Sequence, residues 1–134
     1  MRSQASLGVT LIRIASVYLV ASLGLGFVMA ITKDYSLMPV HSHIALLGWA
    51  TMAATGLAYV ALPRLAGSRL ATAHFWLHNA GLPLMMGSLA LAATLADPRF
   101  EPVIGLGSVL VIAGLLSFAI NVFVNGSTGP LVDR

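Results

Sequence analysis

Four histidines are the residues in this chain best equipped for chemistry: His41 and His43, two apart, and His74 and His78, four apart. Each pair opens a long apolar run. An imidazole carries two polar nitrogens that lipid cannot satisfy, so a histidine in such a run faces protein, water or a metal centre. On a helix, successive residues turn by about 100°, which sends His41 and His43 about 200° apart. They cannot hold one ion together. Either they serve two sites on opposite faces, or one is a ligand and the other is hydrogen-bonded structure. His74 and His78 share a face, and their spacing could grip a single metal ion. Cysteine is absent, which excludes thiolate metal sites, disulfides and covalent cofactor attachment through a C-x-x-C-H motif.

The elements that must position these rings are membrane-length helices. A hydrocarbon core of roughly 30 Å needs about 20 helical residues. Four runs meet that length, at about 7–31, 40–62, 72–94 and 103–124. The expected fold is all-α, a four-helix transmembrane bundle forming one integral membrane domain over residues 1–134. Hydrophobic residues make up 58% and charged residues 8%, with mean hydropathy +0.93. Soluble domains carry about 25% charged residues, so an ordinary globular surface is excluded. The first run is too long for a signal-peptide core and lacks an A-x-A-like site before polar sequence, so it reads as a retained span. Pro39 suits a helix start, while Pro83 should kink the third span.

Charge sets the expected orientation. The net charge of +3 comes from scattered residues with no basic stripe, which argues against nucleic acid. Four spans place Arg2, Arg64, Arg69 and Arg134 on one side, with Arg13 near it; Lys33 and Arg99 stand with Asp34, Asp97 and Glu101 on the other. The positive-inside rule then makes both termini cytoplasmic in a multi-pass protein of a bacterial-type inner (plasma) membrane. His41 and His43 fall near the outer face and His74 and His78 near the inner, with roughly 20 Å of depth between the pairs. One iron cannot serve both pairs within a protomer. Ligation by two histidines at the outer site would need a second subunit, unless Met38, Met85 or Met86 served as the other ligand. As plain structure, Met85 and Met86 are adaptable core filler. Arg13 reads as a snorkelling side chain or the partner of an anionic group. Ala50, Ala54 and Ala58, Gly24 and Gly26, and Gly105, Gly107 and Gly114 allow close helix approach or make room for a flat macrocycle. Asn121 and Asn125 read as partners for helix-end carbonyls or neighbouring helices.

The segment Val40 to Leu65, VHSHIALLGWATMAATGLAYVALPRL, resembles the tenth transmembrane helix of subunit I of the haem–copper oxidases. It shares the His-x-His pair near the outer end and an aromatic-then-proline exit at Tyr59 and Pro63. The stretch HFWLHNAGLPL from His74 is similar to the next helix of that family, which begins His-Phe and reaches a glycine seven residues later, here Gly81. The resemblance implies that His41 would hold a high-spin haem and His43 a low-spin haem, and that His74 is not a ligand. His78 has no counterpart. The departures are as informative. The chain lacks a His-Pro-Glu motif, a His-His pair, an early-helix histidine to complete a low-spin axial pair, and any acidic residue within a span.

The expected function is therefore a small integral-membrane haem b protein related to subunit I, for electron transfer or diatomic gas binding, without complete oxidase chemistry. Whether it is an enzyme stays open. Its expected surroundings are the lipid bilayer, further copies of itself in a homo-oligomer, and a redox partner or small gas. The alternatives are a copper- or zinc-binding membrane module in metallocentre assembly using His74 and His78, or a structural membrane subunit whose histidines only hydrogen-bond.

Overall fold

A computed structural model describes residues 2–126, with side chains from Ser6 onward. Among the described residues the regular structure is helical and no strand occurs. Helix α1 spans Arg2–Thr32. A composite helix, Met38–Ala61, follows in three parts: α2 (Met38–His43), a π-helix (Ile44–Thr51) and α3 (Met52–Ala61). The short α4 (Pro63–Ala66) leads into α5 (Arg69–Leu95), and a 3-10 turn (Pro98–Phe100) into α6 (Glu101–Asn125). Local chemistry explains the boundaries. Pro39 sits in the first turn of α2, where a missing N–H is harmless. The Ser68 side chain caps α5 by accepting from the Ala71 N–H at 3.0 Å. The helix therefore begins at Arg69 rather than near Thr72. Lys33 and Ala96, with φ of 58° and 50°, take the left-handed conformation just past α1 and α5.

Three helical stretches are long and apolar enough to cross a membrane: Ser6–Thr32, Met38–Ala61 and Pro98–Asn125. Helix α5 is also long, but Arg69, His74, His78 and Asn79 reduce its apolarity. It keeps its histidines on the inside, where both are fully buried. Polarity across the molecule follows the same rule. Val17, Val20, Leu23, Phe27 and Ile31 form an exposed apolar stripe on α1, whereas His74, His78, Thr55, Ser88 and Asn121 are buried.

The helices pair as two antiparallel hairpins, α1 with the composite helix and α5 with α6. Glycines set the spacing. A Cβ on Gly8 would lie 2.5 Å from the Gly56 carbonyl oxygen, and one on Gly107 would lie 2.6 Å from the Met85 backbone nitrogen. Close approach of this kind replaces hydrophobic drive with packing contact in a lipid environment. Secondary structure continues through Pro83, which cannot donate to the carbonyl one turn before it. Met85 and Met86 are buried, and Met85 Sδ accepts a hydrogen bond from Ser108 Oγ at 2.9 Å. The two hairpins meet at Tyr59, whose ring stands edge-on to Phe118 with centroids 5.6 Å apart.

Candidate functional site

His41 and His43 occupy the last turn of α2 and leave it on different sides. His41 turns toward α1, where its Nδ1 lies 3.0 Å from the Ser22 carbonyl oxygen and 3.3 Å from Ser22 Oγ. A carbonyl can only accept, so the Nδ1 of His41 carries a proton. Gly26 gives the ring its place, because a Cβ there would stand 2.9 Å from His41 Cε1. His43 is exposed, and its Nδ1 donates to the Pro39 carbonyl at 2.7 Å. In the neutral form, both imidazoles therefore keep a lone pair on Nε2. Neither Nε2 has a hydrogen-bond partner among the described residues. That arrangement is the one a metal-ligating histidine needs, since an N–H held by a carbonyl fixes both tautomer and ring orientation.

The other pair is built differently. The Tyr59 hydroxyl lies 3.0 Å from His74 Nδ1, His74 Nε2 lies 3.3 Å from His78 Nδ1, and His78 Nε2 lies 3.1 Å from the Leu47 carbonyl oxygen. All three side chains are fully buried. The carbonyl fixes the direction of the row. His78 Nε2–H donates to Leu47, so His78 Nδ1 accepts from His74 Nε2–H. His74 Nδ1 then accepts from the Tyr59 hydroxyl. Beyond the row, the Asn121 side chain donates through Nδ2 to the Leu65 carbonyl at 3.0 Å. Asn121 Oδ1 accepts from Ser68 Oγ and from Asn125 Nδ2, each at 2.9 Å.

This row ties the hairpins together. Tyr59 and Leu47 belong to the composite helix, whereas His74 and His78 belong to α5. All four ring nitrogens have partners, so a metal ion here would have to displace one of these bonds. No group of three or more metal-ligating side chains forms among the described residues. The row ends on the Tyr59 hydroxyl at one end and on the Leu47 carbonyl at the other, and a carbonyl does not relay a proton.

The structure does not merge the two histidine pairs, but it brings them closer than the sequence count implies. His78 reaches Leu47, four residues beyond His43 and about 6 Å of helical rise from it, against the roughly 20 Å expected from depth. Ala50 and Ala54 line a groove of about 460 Å³ with Thr51, Thr55, Leu115 and Phe118. Phe118 stands between that groove and the Tyr59–His74 pair. Sequence reasoning missed the roles of Ser22, Leu47 and Tyr59. Ser22 and Gly26, one turn apart in an apolar span, are the signal that could have marked the seat of His41. Comparison with protein-family models, curated proteins and solved structures finds no match to this chain.

Proposed function

We propose that the chain is a four-helix transmembrane protein related to subunit I of the haem–copper oxidases, binding non-covalent haem b through His41, His43 or both. Its role is electron transfer or diatomic gas binding, without the copper chemistry for which it lacks ligands. One observation carries the reading: both Nδ1 atoms are held by backbone carbonyls, at Ser22 and Pro39, while both Nε2 atoms are left without partners. When bound, haem supplies an iron that changes oxidation state by one electron or takes a small gas. The carbonyl partners orient the rings and make Nε2 the better donor. Gly26 makes room for the His41 ring, since a Cβ there would meet Cε1 at 2.9 Å.

His43 is exposed, so the wall on its far side comes from outside the protomer. A homo-oligomer supplies it, with an identical helix opposite across a two-fold axis. In this reading α5 is the fourth span, its polar groups turned inward. Arg64 and Arg69 then mark the cytoplasmic side of a bacterial-type inner membrane, with both termini on that side. The Arg2 side chain and Arg134, which belong to the same count, lie outside the described residues.

Detergent-purified protein tests this by its oxidised and reduced spectra. Pyridine haemochrome analysis of the wild type, His41→Ala, His43→Ala and the double variant assigns the ligands. A Soret band that weakens in the single variants and vanishes in the double one is expected. Full haem retention in the double variant overturns the site, and a haem-loaded monomer in native mass spectrometry overturns the shared wall.

A further inference from the structure

The first two turns of α5 carry a groove of about 520 Å³, lined by Arg69, Thr72, Ala73, Trp76 and Leu77. Its polar groups lie toward one end: the Arg69 guanidinium at the helix start and the Thr72 hydroxyl one turn on. The rest is apolar. Trp76 is 66% exposed and is held edge-on by Phe75, with centroids 5.3 Å apart. From Arg69 to Trp76 is about 10 Å of helical rise. That span carries the groove past a headgroup layer of roughly 5–8 Å per leaflet and into the upper hydrocarbon, with the indole at the level where tryptophan concentrates.

Charge selects the occupant. The connector from Leu62 to Arg69 holds two arginines and no acidic residue. Among the described residues no carboxylate pairs with Arg69, whereas Arg99 at the opposite end is bound to Asp97 at 2.7 Å. A groove of similar size, about 530 Å³, lined by Ser16, Val17, Val20 and Ala21, carries no charge. It therefore offers no such selection.

We propose that the Arg69 groove holds one anionic phospholipid, with the phosphodiester on the Arg69 guanidinium and the Thr72 hydroxyl and an acyl chain along Trp76 and Leu77. The proposal requires α5 to lie against the bilayer, and it is independent of the haem reading because lipid retention is measured without reference to the Soret band.

Native mass spectrometry of the full chain in detergent, with equal amounts of phosphatidylglycerol and phosphatidylcholine, tests it. The wild type is expected to retain the anionic lipid about five-fold over the zwitterionic one, one lipid per protomer. Arg69→Gln should level the two, while Arg99→Gln should keep the wild-type preference. Trp76→Ala should lower retention of both lipids. Excess inorganic phosphate should leave the ratio unchanged, because the acyl contact is part of the site. Equal retention in the wild type overturns the proposal, as does a preference that survives Arg69→Gln or one abolished by inorganic phosphate. Should Arg69→Gln fail to fold, the wild-type ratio and Trp76→Ala still decide.

Discussion

The Leu47 carbonyl accepts the Nε2–H of His78 at 3.1 Å, across the join between the two hairpins. A carbonyl oxygen has two lone pairs, so Leu47, inside the π-helix, can take a side-chain donor alongside a backbone one. The composite helix thus presents an acceptor to α5, and through it orders the protons on His78, His74 and Tyr59.

Cutting this row should loosen the contact between hairpins. His74→Phe keeps a ring but leaves the Tyr59 hydroxyl and His78 Nδ1 without partners in a buried position. The expected loss is about 1–3 kcal/mol, given that interhelical hydrogen bonds in membranes average about 0.6 kcal/mol and an orphaned buried group costs more. Tyr59→Phe removes a terminal donor and should cost about 1 kcal/mol. In the double variant the losses should fall short of their sum, because the two residues share one bond. Unfolding in a denaturing detergent series, followed by helicity, measures all three. Strict additivity would show that the row is not a coupled unit.

Hydropathy and proline placement made most of the helical frame legible. The start of the composite helix at Pro39 and the opposed directions of His41 and His43 follow from local rules. What stayed hidden depends on partners far away in the chain. His41 takes its orientation from Ser22, nineteen residues earlier, and no local pattern names that carbonyl. The π-helix lies in IALLGWAT, where apolar residues on every face leave no periodicity to betray a change of pitch. The early start of α5 was masked because Arg69 and Leu70 fall outside the most apolar stretch, while the Ser68 cap acts through one hydrogen bond.

Glycine replacements should separate contact glycines from idle ones. A Cβ at Gly107 would meet Met85 backbone at 2.6 Å, and backbone cannot step aside cheaply. A Cβ at Gly105 would meet nothing within 4 Å. Gly107→Ala should therefore destabilise by about 1–3 kcal/mol. Gly105→Ala should be neutral or stabilise by up to about 1 kcal/mol through helix propensity. Thermal unfolding in detergent reads the order of the two, and a reversed order would contradict the close packing of α5 on α6.

Acid should act on the loop between α5 and α6. Side-chain hydrogen bonds from Arg99, with a further bond from its backbone N–H, hold the Asp97 carboxyl below the usual carboxylate range. A lowered folded-state pKa contributes stability that is fully present above the unfolded value, about 3.9, and is lost as pH falls through the folded value. Asp97→Asn keeps an acceptor for the Arg99 N–H but loses the ion pair. The wild type should melt slightly above the variant at pH 7, and the gap should close only as pH falls below the ordinary carboxylate range. The Arg99 side chain is 88% exposed, so solvent screens the pair and the gap is small. A gap that persists in acid would assign it to the cap rather than to the charge.

The seat of His41 can be probed without touching the histidine. Rings move more easily than backbone, and a Cβ on Gly26 would press on the far end of His41, 2.9 Å from Cε1. Gly26→Ala should therefore keep the fold while displacing the imidazole. If His41 holds haem, affinity should fall about ten-fold, the scale seen when the partners of a ligand are disturbed, and the reduced spectrum should shift. Ser22→Ala removes only the hydroxyl at 3.3 Å and leaves the carbonyl at 3.0 Å, so haem content should stay close to wild type. Gly24→Ala, with nothing within 4 Å of the new Cβ, is the matched control on the same helix. Haem titration of the three purified variants supplies the comparison. Unchanged binding and spectrum in Gly26→Ala, alongside loss of haem in His43→Ala, would move the iron from the α1 side of α2 to its exposed face.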